Sequence, residues 1–332
     1  MREKVILVIG GAGYIGSQCC KAFAASGWRV VVFDNLSTGW RDFVQWGELI
    51  EGDILDQGAL DAAFQKVRPV AVAHFAALAN VGESVADPAL YYRTNVVGSM
   101  NVLDAMRRQD CRQLVFSSTC ATYGVPRYLP LDEEHPQAPI NPYGQSKLAV
   151  ERMLVDYARA YGLRYVGLRY FNAAGADPDG DVGERHEPET HVIPLAIQGA
   201  DDPAYEFTVF GDDYETRDGT ALRDYVHVAD LADAHCKALD YLDAEGASGF
   251  FNLGTGAGTT VAEIAAAVEK VSNRKLRKRV GARRPGDPAV LTASATRAAE
   301  ALNWKPTRLD VVDAVRDAWR WRQIETDGDR GE

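Results

Sequence analysis

The residues whose types and spacing most directly suggest chemistry are a tyrosine and a lysine in the stretch NPYGQSK. Asn141 is a good helix N-cap and Pro142 suits the first helical position, so a helix is predicted to begin here. Tyr143 and Lys147 then lie one turn apart on the same face. An ammonium group beside a phenol favours the phenolate, which could take a proton from a sugar hydroxyl while hydride leaves the same carbon. Because the spacing alone is common, a surface packing pair is the alternative.

Hydroxyl side chains follow a predicted strand in the segment LVFSSTCATYG. The Thr119 hydroxyl could hydrogen-bond the same substrate oxygen that Tyr143 would deprotonate. Taken singly, Ser117, Ser118 and Thr119 are each explained by ordinary turn chemistry at a strand end. Only their combination with the tyrosine and lysine predicts a proton-transfer site.

A glycine-rich turn near the start of the chain predicts a dinucleotide site. The segment VILVIGGAGYIG ends a strand, opens a helix and spaces Gly10, Gly13 and Gly16 three residues apart. Such glycines let the backbone approach a pyrophosphate, whose charge is met by the helix N-terminus. Asp34, at the end of the next strand, would bind a ribose diol and repel a 2′-phosphate, which favours NAD over NADP. The positive nicotinamide ring of bound NAD⁺ would also lower the pKa of Tyr143.

The elements that must position these residues alternate along the first half of the chain. KVILVIG, RVVVFD, PVAVAHFA, RQLVFSS and RYVGLRY are predicted strands, and amphipathic segments such as SQCCKAFAASG and NVVGSMNVLDAMRRQD are predicted helices. Nearly all-apolar strands predict burial on both faces. The fold class is therefore α/β, a Rossmann-type doubly wound parallel sheet with ligands at the carboxyl ends of the strands.

From about Phe171 the alternation breaks in a long segment rich in Gly, Pro and Asp, which predicts a functional loop leading into a smaller α/β substrate-binding domain. We expect a cofactor domain over 1–172, with segments of about 224–254 returning to it, and a partly interleaved substrate domain over 173–332. The glycine loop NLGTGAGTTVAEI has a simpler explanation, because Thr260 and Glu263 form a capping box at a strand-to-helix turn.

Composition describes an ordinary globular chain of 332 residues, 46% hydrophobic and 25% charged. A formal net charge of −11 argues against general nucleic-acid binding. The five cysteines include no C-x-x-C pair, so reduced thiols and a cytoplasmic location are expected. The N-terminal apolar run is too short for a signal peptide or a membrane span, so no membrane partner is expected.

Motifs along nearly the whole chain resemble those of the extended short-chain dehydrogenases/reductases, and most closely the UDP-glucose 4-epimerase family. They are GGAGYIGS, DNLSTG, GDILD, HFAALANVGES, YYRTNVVG, FSSTCATYG, NPYGQSK, LRYFNAAGADP, DGTALRDYVHVADLADAH, NLGTGAG and RRPGD. The resemblance implies an isomerase that uses tightly bound NAD, a UDP-sugar as the substrate, and a homodimer.

The resemblance also implies roles for individual residues. Tyr143 corresponds to the base, Lys147 to the lysine that holds the cofactor ribose and the base, and Thr119 to the residue that orients the substrate. The implied cofactor contacts are Gly10, Gly13, Tyr14, Ile15, Gly16, Asp34, Asn35, Leu36, Ser37, Asp53, Ile54, Phe75, Ala76, Ala77, Asn95, Thr119, Tyr143, Lys147 and Phe171. The implied substrate contacts are Thr119, Tyr143, Asn172, His191, Val192, Phe210, Arg223, Arg284, Asp287 and Leu291.

Inverting a sugar alcohol centre requires removing its hydride and returning it to the other face, while the nucleotide anchors the turning 4-keto sugar. Arg223 and Arg284 suit the diphosphate because guanidinium groups match phosphate geometry, although a surface salt bridge would also explain Arg284. Two positions depart from the family: Ala79 stands where many members have lysine, and Leu291 stands where tyrosine or a small residue is frequent. The second departure leaves open whether N-acetylated sugars fit.

Two further patterns have simpler explanations than the chemistry they suggest. In HEPETH, His186 and His191 are five apart with Pro188 between them, which is wrong for two metal ligands on one helix face, so no metal is predicted. His74, at a strand end among apolar residues, is expected to be structural. The basic run NRKLRKRVGARR predicts a solvated strand that draws in an anionic nucleotide sugar rather than a nucleic-acid patch.

The sequence leaves several functions open. Interconversion of UDP-glucose and UDP-galactose is the first hypothesis, and epimerisation of UDP-xylose/UDP-arabinose or UDP-GlcNAc/UDP-GalNAc is the second. A nucleotide-sugar dehydratase or decarboxylase is disfavoured because Cys120 and Ala121, not the Asp-Glu pair usual in dehydratases, follow Thr119. A module that senses NAD without turnover is disfavoured by the presence of Tyr143, Lys147 and Thr119 together.

Overall fold

A computed structural model describes residues 4–284 and 287–329 of the chain, and the side chains of these residues up to 326. Its centre is a seven-stranded parallel sheet with the spatial order β11-β6-β5-β4-β1-β2-β3. The strands are β1 (Val5–Ile9), β2 (Arg29–Asp34), β3 (Glu48–Glu51), β4 (Ala71–His74), β5 (Gln113–Thr119), β6 (Arg164–Tyr170) and β11 (Gly249–Leu253). The predicted Rossmann-type α/β class is confirmed.

Helices flank the sheet and build the rest of the molecule. They are α1 (Tyr14–Ala25), α2 (Gln57–Val67), α3 (Val81–Ala86), α4 (Pro88–Tyr91), α5 (Gly98–Arg108), α6 (Pro142–Tyr161), α7 (Val192–Asp201), α8 (Val228–Asp243), α9 (Val261–Ser272), α10 (Thr296–Ala301) and α11 (Val311–Asp329). A π-helical stretch, Tyr92–Val97, precedes α5, and single 3-10 turns span Arg41–Phe43 and Cys120–Thr122.

The alternation of side chains along the strands supplies both apolar layers of the sheet. In β1, Ile6 and Val8 pack into one core cluster, whereas Val5, Leu7 and Ile9 pack into the cluster on the opposite face. All five residues are buried, because helices cover both faces of the sheet. This arrangement explains why the predicted strands are continuous apolar runs.

The later part of the chain adds short strands and a third apolar cluster. The strands are β7 (Asn172–Ala174), β8 (Phe207–Phe210), β9 (Leu222–Arg223), β10 (Tyr225–His227), β12 (Thr259–Thr260), β13 (Lys278–Gly281) and β14 (Val290–Leu291). Ile197, Phe207, Ile264 and Val315 are among the residues that join α7, β8, α9 and α11 in one core.

Three local predictions from the sequence, the capping box, an exposed strand in the basic run and a structural His74, are confirmed here. The Thr260 hydroxyl accepts from the Glu263 amide while the Glu263 carboxylate accepts from the Thr260 amide, a complete capping box. Within the basic run, β13 is an exposed strand that pairs with β8. His74 is buried, and its Nε2 lies 2.9 Å from Ser99 Oγ, as expected for a structural histidine. No helix in the described ranges is long and apolar enough to cross a membrane.

Candidate active site

The loops that follow β1, β2, β4, β5 and β6 surround a cavity of about 1210 Å³ at the carboxyl edge of the sheet. Its far wall comes from the later part of the chain. The predicted residues that line it are Gly10, Gly13, Tyr14, Ile15, Gly16, Asp34, Asn35, Ser37, Asp53, Ile54, Phe75, Ala76, Ala77, Thr119, Tyr143, Lys147, Phe171, Asn172, His191, Val192, Phe210, Arg223, Arg284, Asp287 and Leu291. Residues from both predicted sites therefore meet in one space.

Two residues of the predicted cofactor site, Leu36 and Asn95, are not part of this lining. Asn95 is buried, and its side chain exchanges hydrogen bonds with the Leu78 backbone and donates to Ser146 Oγ, 3.0 Å away. These bonds tie the loop after β4 to α6. The geometry gives Asn95 a positioning contact rather than a place in the cavity wall.

The glycine turn after β1 is shaped by close backbone contacts. A Cβ at Gly10, whose φ is +83°, would lie 2.4 Å from Ala76 N, and a Cβ at Gly16 would lie 2.2 Å from Gly10 O. A Cβ at Gly13 would meet no other protein atom nearer than 3.6 Å and would stand in the cavity lining. The turn thus leaves room for a pyrophosphate directly against the start of α1.

Asp34 ends β2 with its carboxylate held by the backbone. Oδ2 accepts from Ala12 N at 3.0 Å and Oδ1 accepts from Leu36 N at 2.8 Å. Burial raises the pKa of Asp34, and these two hydrogen bonds oppose the shift. Beside it, Asn35 Nδ2 donates to Asp53 Oδ2 at 2.9 Å. Fixed carboxylates at this point fit a ribose diol.

Helix α6 presents the tyrosine and the lysine as the spacing predicts. Asn141 Oδ1 accepts from Gly144 N at 2.8 Å, which confirms the N-cap, and Pro142 occupies the first turn. Lys147 is buried, and its Nζ donates to the Ser117 carbonyl oxygen at 2.9 Å. The helix is therefore docked on the carboxyl end of β5, where Thr119 is also buried beside the cavity.

The pKa values of this group differ from the sequence expectation. Burial raises the pKa of Tyr143 to about 12, and a hydrogen bond with the Thr119 side chain opposes that shift. Burial lowers the pKa of Lys147 to about 7, with Glu151 opposing. Lys147 is therefore not a group that lowers the pKa of Tyr143 in the protein alone. The predicted contribution of a nicotinamide charge stays a prediction.

A buried ion pair that the sequence analysis did not identify supports α6. Arg169 Nε and Nη2 donate to the two Glu151 carboxylate oxygens at 2.8 and 2.7 Å, and Ser118 Oγ donates to the same carboxylate at 2.5 Å. The two charged side chains are 4% and 2% exposed. Sequence spacing does not reveal this pair, because Glu151 on α6 and Arg169 on β6 are eighteen positions apart.

On the opposite wall, the predicted substrate residues interact with one another. Arg223 Nη2 lies 2.5 Å from Asp287 Oδ1. The exposed Arg284 guanidinium lies 4.3 Å from the centroid of the Phe210 ring. Leu291 is half-buried and packs on the small apolar cluster around Cys120, so it forms a wall rather than a free surface.

The loop between β7 and α7 supplies cavity residues that were not predicted, Glu184 and His186. Nδ1 of His191 lies 2.9 Å from both Glu184 Oε1 and Glu189 Oε1. Burial lowers the pKa of His186, but the two carboxylates outweigh it and raise the value to about 9; the same balance raises the pKa of His191 to about 10. Ala79, the first departure from the family, also lines the cavity.

A glycine turn, an acid at the end of β2, and a tyrosine and lysine facing a strand-end hydroxyl define the class. The fold and the site are those of an NAD-linked enzyme of the short-chain dehydrogenase/reductase type.

Comparison with known proteins makes the assignment more specific, because residues 6–254 match the model of the NAD dependent epimerase/dehydratase family. The chain belongs to this family. It is 53% identical to a UDP-glucose 4-epimerase of Rhizobium leguminosarum bv. trifolii over 97% of this chain and 98% of that protein. The crystal structure of UDP-glucose 4-epimerase from Brucella ovis in complex with NAD superposes with a TM-score of 0.94, at 51% identity, over 96% of this chain and 98% of that one.

A third similar structure bears on the sugar. The UDP-glucose-4-epimerase from Stenotrophomonas maltophila, with bound NAD and formylated UDP-arabinopyranose, has a TM-score of 0.94 at 38% identity over 98% of this chain and 100% of that one. The predicted family and the predicted NAD cofactor are confirmed by these comparisons.

Proposed function

We propose that the protein is an NAD-dependent UDP-sugar 4-epimerase that interconverts UDP-glucose and UDP-galactose. The observation that carries the proposal is that Tyr143, Thr119 and Lys147 meet the glycine turn and Asp34 in one cavity. The sequence prediction of an isomerase of this class is confirmed by relatives named UDP-glucose 4-epimerase at 53% and 52% identity.

Residues of this chain fit NAD on geometry alone. The turn at Gly13 leaves a space that a side chain would fill, and Asp34 is held ready for a diol. NAD held by the glycine turn and Asp34 would supply a reversible hydride acceptor for the sugar carbon. Phe75 and Phe171, which also line the cavity, would exclude water from the reacting atoms.

The protein's own steps are proton transfers and orientation. Tyr143 Oη takes the proton of the sugar 4-hydroxyl and later returns it to the 4-keto oxygen, while the Thr119 hydroxyl holds the same oxygen. Lys147 has two roles in the proposal: it fixes the end of β5 through Ser117, and it holds the cofactor ribose.

The far wall anchors the nucleotide while the sugar turns. Arg223 is oriented by Asp287, and the exposed Arg284 reaches over Phe210; in the proposal both guanidinium groups bind the diphosphate. Asn172 and Val192 complete this wall.

Replacing the base tests the proposal. Tyr143→Phe should lower kcat by roughly a hundredfold or more, the usual contribution of a positioned base, without loss of folding or of bound NAD. Tyr161→Phe, at the exposed C-terminal end of the same helix, is the matched control and should leave the rate unchanged. A Tyr143→Phe variant with the wild-type rate would remove this mechanism.

Pentose substrates are the second candidate, favoured by the neighbour whose structure holds formylated UDP-arabinopyranose, and N-acetylated sugars are the alternative that Leu291 leaves open. Assaying UDP-galactose, UDP-xylose and UDP-GalNAc side by side separates these activities. Steady consumption of NAD⁺ in step with product would instead identify a dehydrogenase.

Assembly, compartment and lobe boundaries stay predictions. A homodimer is supported by Tyr92, Val97 and Met100, which are 40–42% exposed on the helical segment packed beside α6. Sedimentation analysis measures it directly. Five free cysteines agree with a reducing cytoplasm. The proposed domains are residues 1–172 with the returning segments of about 224–254, which bind NAD, and the partly interleaved residues 173–332, which bind the UDP-sugar.

A further inference from the structure

Two imidazoles and two carboxylates converge in the loop that precedes α7. Nδ1 of His191 lies 2.9 Å from Glu184 Oε1 and 2.9 Å from Glu189 Oε1. Nδ1 of His186 lies 3.4 Å from Glu184 Oε1 and 3.7 Å from Glu189 Oε2. The donor atoms of all four residues lie within 4.8 Å of one another. The five-residue spacing that is wrong for a helix face is thus overcome by an irregular loop.

These distances match the edges of a metal coordination shell. Tetrahedral Zn²⁺ with bonds of about 2.0–2.1 Å to nitrogen and oxygen places neighbouring ligand atoms about 3.3 Å apart. The four nitrogen–oxygen separations given above, 2.9, 2.9, 3.4 and 3.7 Å, fall on both sides of that value. Glu189 Oε1 also accepts from Thr190 N at 2.6 Å and His191 N at 2.7 Å, so Oε2 is the Glu189 oxygen left for an ion.

Burial and charge favour a cation at this point. The side chains of Glu184 and Glu189 are only 6% and 17% exposed. Among the described residues no lysine or arginine pairs with either carboxylate, and their ionic partners are the two histidines. One divalent cation would balance the charge of both carboxylates, which otherwise requires a proton on each of the two imidazoles.

A nearby acidic cluster shows the contrasting case. Asp177, Asp179 and Asp181 also lie within 4.8 Å of one another, but Lys21 Nζ sits among them at 2.6, 2.7 and 2.8 Å. That cluster already holds its cation, so it has no need of a metal.

The orientation of His186 supplies an independent observation. Its Nδ1 is inaccessible to solvent and has no hydrogen-bond partner among the described residues, although it faces Glu184. Its ring packs edge-on against Tyr14, with the centroids 6.3 Å apart. Nδ1 therefore points toward Glu184 without a well-formed hydrogen bond, and a metal that displaces its proton would bind the nitrogen lone pair there.

We propose that Glu184, His186, Glu189 and His191 form a binding site for a divalent transition-metal ion, with the two-nitrogen, two-oxygen donor set best suited to Zn²⁺. Four protein ligands make a closed site, which is the structural rather than the catalytic kind. The ion would tie the loop to the start of α7, whose Val192 lines the cavity. It would fix one wall of the substrate site without taking part in proton or hydride transfer.

Cobalt substitution tests the site directly. The full-length chain, without a histidine tag or UDP-sugar, is stripped with a chelator and titrated with Co²⁺ while its visible spectrum is recorded. We expect one Co²⁺ per chain with the intense absorption of tetrahedral cobalt, displaced by one equivalent of Zn²⁺. Failure of the wild-type chain to bind one Co²⁺ with this spectrum would overturn the proposal, whatever the variants do.

Variants of the same loop locate the ion. Glu189→Gln and His186→Gln should each weaken Co²⁺ binding by more than about tenfold, since loss of a ligand costs at least as much as loss of a ligand's supporting group. Glu187→Gln is the matched control, because Glu187 is exposed in the same loop and outside the cluster. Binding that persists in the two ligand variants, or that falls equally in the control, would place the ion elsewhere and reject this site.

Discussion

Replacing Lys147 by methionine is expected to stabilise the fold while removing a residue of the proposed active site. The lysine is 3% exposed, and the one hydrogen bond of its Nζ described above goes to the Ser117 carbonyl oxygen. Burial lowers its pKa from 10.5 to about 7. A charged group placed where its charge is disfavoured reduces stability, and methionine fills similar space without a charge.

The magnitude follows from linkage. A pKa lowered by roughly 3.5 units at about 1.36 kcal/mol per unit destabilises the folded state by about 5 kcal/mol wherever both states are protonated, that is below about pH 7. Between about pH 7 and 10.5 only the unfolded lysine keeps its proton, so this energy diminishes and wild-type stability rises with pH. Losing the hydrogen bond to Ser117 subtracts about 1 kcal/mol. The net gain for Lys147→Met is about 3–4 kcal/mol near pH 6, and it falls by about 3 kcal/mol by pH 9.5.

Urea unfolding at several pH values measures this difference. The protein must first be freed of NAD, because a ligand that binds only the folded state adds its own stabilisation. Lys270→Met, at an exposed lysine on α9, is the control and should show no such pH-dependent gain. A Lys147→Met variant that is less stable than wild type near about pH 6, or a gain that does not change with pH, would refute this reasoning.

Three further predictions test the cofactor turn, the support of α6 and the sugar wall. Gly16→Ala should reduce the NAD that copurifies with the protein, because its Cβ would lie 2.2 Å from Gly10 O; wild-type NAD content by absorbance would contradict this. Glu151→Gln should lower the free energy of unfolding by about 3–5 kcal/mol, since it leaves the Arg169 charge buried without its partner; a loss under about 1 kcal/mol in urea would argue otherwise. Leu291→Ala should raise kcat/KM for UDP-GalNAc relative to UDP-galactose by roughly tenfold; an unchanged ratio would mean that this side chain does not limit sugar size.

Periodicity predicted the large elements of the fold because their burial is uniform. The five strands predicted in the first half are all present, since each is an apolar run with helices on both faces. Glu48–Glu51 was not predicted, because an edge strand of two half-buried apolar residues between two acids has no distinct pattern. The π-helical turn at Tyr92–Val97 was likewise indistinguishable from the helix that follows.

The site was predictable where a local motif sets the geometry. The glycine turn, Asp34 and the Tyr143 helix are determined by residues close in sequence, and their places in the cavity agree with their spacing. The contact between Glu184 and His191 depends on the conformation of the irregular loop before α7, which sequence periodicity does not predict. The lowered pKa of Lys147 could not be predicted either. Sequence spacing places Tyr143 one turn away but does not show how deeply the lysine is buried, and burial causes the shift.

The central sheet is completed by a strand from late in the chain, with consequences for how the protein is made. Gly249–Leu253 pairs with Arg164–Tyr170, so about eighty residues are synthesised between the two partners. A nascent chain that has emerged only to residue 172 presents an open sheet edge to the ribosome surface and to chaperones. Translational pausing or truncation inside that interval would favour aggregation, whereas a stop after residue 253 would leave this sheet whole.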